Sequence, residues 1–458
     1  MDDIFLLSGY AGTGKTSLLG ALVKTLQQLK QPVVLLAPTG RAAKVFASYA
    51  ECPALTIHKK IYRQKSVADM DNFQPNVNLH KQTLFIVDEA SMIANEGLAG
   101  TNFGTGRLLD DLVQYVYAGQ GCRLMLVGDR AQLPPVGEEE SPALDADALA
   151  GYGLSVVNCE LTEVVRQTND SGILLNATLL RRMIECGETF EFPQLQTTGF
   201  PDVCIVPGDE LIEALENSMY RCGMDETIVV TRSNKRANIY NNGIRNRILG
   251  YEEVLSGGDL VIVAKNNYYY SLNEPQETET QTQTQTQTQT QTQTQTQTQT
   301  NLSNSFVANG DTAVVSRYRN IREFYGFRFA DALLRFPDYD NMELEATVLL
   351  DTLQSEAPAL TREQQETLFQ KVWEDYPEIT NKRDRIKKIK EDVYYNALQI
   401  KYGYAITCHK AQGGQWQHVY IDQGYLTDDM INPDYYRWLY TAITRATEKV
   451  FLVNWKVG

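Results

Sequence analysis

"GYAGTGKTS", residues 9–17, decides the fold. Gly9-Tyr10-Ala11-Gly12-Thr13-Gly14-Lys15-Thr16 satisfies G-x-x-x-x-G-K-[ST] at every fixed position. Before it, Ile4–Leu7 is a short apolar run that reads as a buried strand; after it, Ser17–Leu29 carries leucines and a valine at helical spacing. Strand, glycine loop and helix together make a phosphate cradle. The glycines let backbone N–H groups turn inward, and the helix N-terminus adds favourable partial charge. The pattern assigns Gly9, Gly12, Gly14, Lys15, Thr16 and Ser17 to nucleotide binding, with Lys15 on the β/γ-phosphates and the Thr16 hydroxyl on Mg²⁺. A glycine-rich turn without nucleotide is the plain alternative, and the full motif in context disfavours it.

The 458 residues are 43% hydrophobic and 22% charged, enough for more than one globular core. The net charge of −15 weighs against a simple basic nucleic-acid binder, although the local field of a cleft can have the opposite sign. The 7 cysteines are scattered without a C-x-x-C pair, and the 4 histidines do not cluster. Reduced thiols and no structural zinc are the expectation. No apolar stretch is long enough to span a bilayer, and a cytoplasmic location is expected.

Short apolar runs alternate with helical patterns from the start to about residue 160: Ile4–Leu7, Val33–Ala37, Leu84–Val87 and Leu124–Val127. A second alternating region has Thr227–Val230, Leu260–Val263, His418–Ile421 and Val450–Val453 as strands. The expected fold class is α/β, with two parallel-sheet domains flanked by helices. Between the halves, Thr and Gln alternate strictly up to Thr300 and offer no apolar face, so 273–305 reads as a disordered insertion. Residues 306–400 read as an inserted β-rich subdomain with two helical stretches, around Thr361–Asp375 and Asn381–Gln399. The basic run Lys382–Lys390 within it reads first as a solvated face and second as a DNA contact. The expected domains are 1–165, then 166–272 with 401–458.

Two further strand ends carry chemistry. Leu84–Val87 runs into Asp88 and Glu89. After a phosphate loop, the first carboxylate suits Mg²⁺ and the second suits polarising an attacking water. Leu126–Gly128 leads to Gln132, an amide able to sense the γ-phosphate or its water, or simply a solvated loop residue.

The whole set resembles the superfamily 1 helicases, in the RecD-like and Dda-like branch with RecA-like domains. "LLAPTGRAAK" (35–44) and "TIHK" (56–59) resemble motifs Ia and Ib; "VDEASM" (87–92) and "GDRAQLPPV" (128–136) resemble motifs II and III. "LTEVVRQ" (161–167), "AITCHKAQGGQW" (405–416) and "LYTAITRA" (439–446) resemble motifs IV, V and VI, and "FVANGD" (306–311) another segment of the branch. The resemblance implies an ATP- and Mg²⁺-dependent motor, with Lys15, Glu89, Gln132 and the arginine fingers Arg166 and Arg445 as catalytic residues, and Gly413 beside the nucleotide. It places Pro38, Thr39, His58, Thr407, His409 and Lys410 along a single-strand track. It also places a duplex-splitting β-hairpin pin at 62–81, with Phe73 near the tip, where an ordinary loop is the alternative.

In the family a glutamine-containing Q motif that contacts adenine precedes the phosphate loop, and the eight residues before Gly9 leave no room for one. A late start of the chain is the corresponding expectation. The function expected is an ATP-dependent DNA helicase moving 5′ to 3′ on single-stranded DNA and at duplex junctions, in repair, recombination or replication, with repair or recombination proteins as partners. The alternatives are an ATPase subunit of a larger nuclease assembly, and a DNA-binding protein with impaired turnover. A metabolic phosphate-loop kinase would not need the later motifs.

Overall fold

The computed structural model describes residues 3–64, 73–96, 104–163, 171–271, 306–339 and 341–455. The first half builds a six-stranded, wholly parallel sheet. Its spatial order is Ala54–Thr56, Val33–Ala37, Leu84–Val87, Arg123–Gly128, Ile4–Gly9 and Val156–Leu161. The central strands are apolar along their length because helices cover both faces. In a parallel sheet every strand points the same way. The loops after Gly9, Ala37, Thr56, Val87 and Gly128 therefore gather along one edge, where open α/β sheets bind ligands.

A second parallel sheet has the order Ala405–Thr407, Thr227–Thr231, Trp416–Asp422, Ala446–Val453 and Val203–Val206. Helix Pro433–Ile443 packs on it, opened by Asn432, whose side chain accepts from the Tyr435 N–H, with proline in the first turn. All but three of the helix's eleven residues are buried, so it belongs to the interior rather than to a surface face.

The inserted β-rich unit is a closed five-stranded barrel of Leu260–Val263, Thr312–Phe324, Phe327–Phe336, Met342–Leu349 and Leu398–Tyr402. This corrects one expectation. Leu260–Val263 does not join the second parallel sheet; it pairs antiparallel with Thr312–Val314 and with Ile400–Tyr402. A fully buried run of four aliphatic residues reads alike in a parallel sheet and in a small barrel, so the pattern could not decide. The helical stretches are Arg362–Glu374 and Lys382–Lys390, and the part beyond turns into the barrel strand Leu398–Tyr402 rather than more helix. Arg385 of the basic run is tied inward, stacked 4.3 Å over Trp373 and donating to its carbonyl, while Lys382, Arg383, Lys387 and Lys388 are exposed. The Thr/Gln stretch, 273–305, lies outside the described residues.

The expected pin falls on a real hairpin base. Tyr62–Gln64 pairs antiparallel with Phe73–Pro75, and Tyr62 donates to Asp111 to anchor it. Phe73 sits in the returning strand opposite Gln64 rather than at the tip, and 65–72 lie outside the described residues. Among the described residues no helix is long and apolar enough to cross a membrane.

Candidate active site

The phosphate loop has the backbone its sequence requires. Gly12 and Gly14 have φ of 79° and 84°, a region that disfavours any side chain. Gly14 caps helix Lys15–Gln28, and a Cβ at Gly9 would stand 2.9 Å from Thr13 Oγ1. Lys15 folds back over the loop. Its ammonium donates to the Gly9 and Tyr10 carbonyls and lies 3.9 Å from Asp129. Thr16 and Ser17 are exposed on the first turn.

Asp88 and Glu89 follow the neighbouring strand. Tyr49 donates to one Asp88 oxygen and the Glu89 N–H to the other, at 2.8 Å for the latter. Glu89 has φ of 53°, the left-handed region a non-glycine residue enters at a cost of about 1–2 kcal/mol. Such a strained residue is a common mark of a functional site. Burial raises both carboxyls above their usual range; for Glu89, Arg445 opposes the rise and Asp88 adds to it.

Helix Pro433–Ile443 closes the cleft from the second sheet. Just past its end, Arg445 is 4% exposed, with Nη1 4.0 Å from Glu89 Oε1. Its guanidinium is held by the Thr441 and Gly414 carbonyls and by Thr444 Oγ1. Gln132 is buried, and its Oε1 has no hydrogen-bond partner within the protein. Its neighbour Leu133 donates its N–H to Thr441 Oγ1 and accepts from the Gln412 side-chain amide at its carbonyl. A cavity of about 280 Å³ opens beside Tyr10, Asp129, Gln132 and Arg437.

Sequence reasoning missed Tyr440. Its hydroxyl accepts from the Ala11 N–H of the phosphate loop at 2.9 Å and donates to Asp129 Oδ2 at 2.6 Å. Burial raises its pKa, so the phenol keeps its proton. Tyr440 stands inside "LYTAITRA", but nothing in a helical pattern announces a hydroxyl aimed at a loop four hundred residues away. Arg166 lies outside the described residues.

The residues expected along a single-strand track fall on strand ends and helix starts. Pro38 and Thr39 follow Val33–Ala37, and Thr39 caps helix Gly40–Ala50 by accepting from Ala42. His58 lies in helix Ile57–Ile61, and burial lowers its pKa to about 4, so it is neutral. Thr407, His409 and Lys410 open the short helix Cys408–Ala411. Lys410 Nζ is buried without a hydrogen-bond partner, and burial lowers its pKa to about 8. Gly413 packs on this side too: a Cβ there would lie 2.9 Å from Ala42 and 3.3 Å from Thr39. The close approach is to the segment after Ala37.

A parallel sheet carrying a phosphate loop, a strand-end carboxylate pair and an arginine from a second parallel sheet defines a phosphate-loop ATPase of two RecA-like units. The AAA-domain family model matches residues 1–185, and the UvrD-like helicase C-terminal domain matches 402–453. An uncharacterized protein of Acanthamoeba polyphaga mimivirus is 24% identical over 98% of this chain and 94% of its own length. The ATP-dependent RecD2 DNA helicase of Deinococcus radiodurans is 30% identical over 37% of this chain, which spans 21% of that protein. Pif1 helicase from Bacteroides, solved with ADP-AlF3 and ssDNA, aligns over 99% of this chain and 89% of its own at 14% identity and a TM-score of 0.44. The order of the two family matches and the RecD2 relative support a superfamily 1 helicase and an ATP-dependent DNA helicase enzyme.

Proposed function

We propose that the chain couples ATP hydrolysis to 5′-to-3′ movement along single-stranded DNA, opening duplex at a junction during repair, recombination or replication. The carrying observation is the seam itself, where Lys15 meets Asp129, Glu89 faces Arg445, and Leu133 beside Gln132 is hydrogen-bonded to Thr441. Lys15 leaves the loop carbonyls to bind the β/γ-phosphates. Glu89 orients the attacking water and takes its proton; Gln132 holds that water or the γ-phosphate; Arg445, with Arg166 as the second finger, meets charge developing on the γ-phosphoryl group. The oxygen donors Thr16 and Asp88 fit Mg²⁺, and two carboxyls raised by burial mark a site short of positive charge. An ion held there would supply positive charge to the phosphate oxygens.

Phosphates of the strand would run past Pro38, Thr39, His58, Thr407, His409 and Lys410, held by hydroxyls, backbone N–H groups and one ammonium without reading bases. The Thr39–Gly413 contact joins the two halves of this track, so opening and closing of the ATP seam changes the grip on DNA. The test is ATP turnover with and without single-stranded DNA, beside Lys15→Ala, followed by displacement of strands bearing 5′ or 3′ tails. DNA-stimulated turnover lost in the variant and unwinding only from a 5′ tail are expected. Turnover indifferent to DNA would overturn the reading, and unwinding from a 3′ tail would overturn the polarity.

A further inference from the structure

A second cluster lies where helix Leu211–Cys222 covers the strands Trp416–Asp422 and Ala446–Val453, and it shares no residue with the ATP seam. Cys222, His418 and Glu448 bring three potential ligand atoms within 4.8 Å of one another. His418 is 3% exposed, and edge-on contact with Phe451 fixes its ring.

The hydrogen bonds around this ring settle its tautomer. The Tyr420 hydroxyl donates to the Ala214 carbonyl at 2.6 Å, so its one proton is spent. Ser218, 2.6 Å from Tyr420, must then be the donor between them. The Ser218 oxygen is left to accept from His418 Nδ1 at 2.8 Å. Nε2 thus carries the lone pair. It is buried, has no hydrogen-bond partner, and lies 3.7 Å from Glu448 Oε1. A buried bare lone pair facing a carboxylate is an unfavourable pairing that a cation between them relieves.

We propose that Cys222, His418 and Glu448 form a zinc site, with the fourth coordination position open to water. Thiolate, imidazole and carboxylate are the donor classes Zn²⁺ accepts, and three protein ligands leave one vertex free. A hard ion such as Mg²⁺ would not select sulfur and nitrogen. Tetrahedral zinc spaces its donors by about 3.5 Å, so the cluster must tighten by about 1 Å. Cys222 ends its helix just before Gly223, and Glu448 is 38% exposed and pairs with Arg221 at 2.8 Å, so both can swing. On binding, the Cys222 thiol releases its proton to solvent as the Zn–S bond forms, and Glu448 exchanges Arg221 for the metal, with no change of oxidation state. The Ser218–Tyr420 relay holds the imidazole as an outer-shell partner does. The ion would pin the helix end to two strands of the second sheet.

The test uses the full chain, stripped with EDTA and dialysed against zinc chloride without nucleotide or Mg²⁺. One zinc per chain is expected, weakened at least tenfold in Cys222→Ser and Glu448→Gln and unchanged in Cys204→Ser. Ser218→Ala should weaken it by roughly 10–100-fold through the relay alone. Cobalt should give a thiolate charge-transfer band in the wild type and in Cys204→Ser, absent in Cys222→Ser. No zinc retained by the wild type, or a cobalt–thiolate band that survives Cys222→Ser, would overturn the site.

Discussion

Tyr440→Phe separates the two things the hydroxyl does. In the nucleotide-free chain it satisfies the Ala11 N–H at 2.9 Å and binds the Asp129 carboxylate at 2.6 Å. The side chain is 1% exposed, and phenylalanine keeps the ring, so the change opens no large cavity. Asp129 retains the Ala131 N–H at 2.9 Å and Lys15 at 3.9 Å. The charge-assisted bond to Asp129 dominates the stability loss, about 2 kcal/mol. The unfolding midpoint without nucleotide should therefore fall by roughly 4–8 °C.

Nucleotide binding should move the other way. Only interactions that differ between the empty and loaded states change affinity. The Asp129 bond can persist in both states and cancels. The Ala11 N–H must be surrendered to phosphate, and in the variant it has nothing to surrender. One neutral hydrogen bond, about 0.5–1.5 kcal/mol, corresponds to roughly 2- to 12-fold tighter binding. Titration of a fluorescent non-hydrolysable ATP analogue measures this directly. Unchanged or weaker binding would refute the view that the hydroxyl competes with phosphate, and would make Tyr440 a phosphate ligand or a purely structural residue.

Three further outcomes follow from the geometry. Lys410→Met should weaken single-stranded DNA binding about tenfold at low salt and lower the salt slope by about 0.7, without loss of stability, since the ammonium has no hydrogen-bond partner. Because burial lowers the Lys410 pKa to about 8, wild-type DNA affinity should fall between pH 7 and 9, and this fall should vanish in the variant. Asp311, which accepts from Ala308 and Tyr339, is raised to about 7 by burial; its folded form thus holds the proton more tightly than the unfolded chain. Stability should then fall as pH rises from about 5 to 7, by up to about 1.4 kcal/mol per unit, and a pH series of thermal midpoints should be flatter for Asp311→Asn. Gly413→Ala, at φ of 73° with Ala42 in the way, should cost about 1–3 kcal/mol and blunt DNA stimulation of ATP turnover more than it weakens nucleotide binding in a titration.

What was legible in the sequence is what local backbone constraints write into it. The phosphate loop is readable because Gly12 and Gly14 must take positive φ, and because strand and helix flank them. Asp88, Glu89 and Gln132 are readable because a parallel strand delivers whatever follows it to one edge. The barrel was half legible: its long hairpin shows in the sequence, but the closure of Leu260–Val263 on Leu398–Tyr402 joins segments too distant for any periodicity to register. Phe73 slipped from tip to returning strand for a similar reason, since a polar hairpin carries little register information.

The groups that couple the two sheets were the least legible. Tyr440, Thr441 and Gln412 act through one or two hydrogen bonds each on loops from the other sheet, and their residue types are equally at home in buried segments. Cys222, His418 and Glu448 come from three separate elements, so no ligand spacing exists to be read. A seam that opens and closes with nucleotide needs such contacts to be individually weak. If the seam held the empty state by many strong bonds, nucleotide could not reopen it, because a ligand shifts an equilibrium only by its differential affinity. A few bonds of about 1–2 kcal/mol each, from residues chosen for reach rather than pattern, are what a switchable interface requires. The same physics that permits switching erases its trace from the sequence.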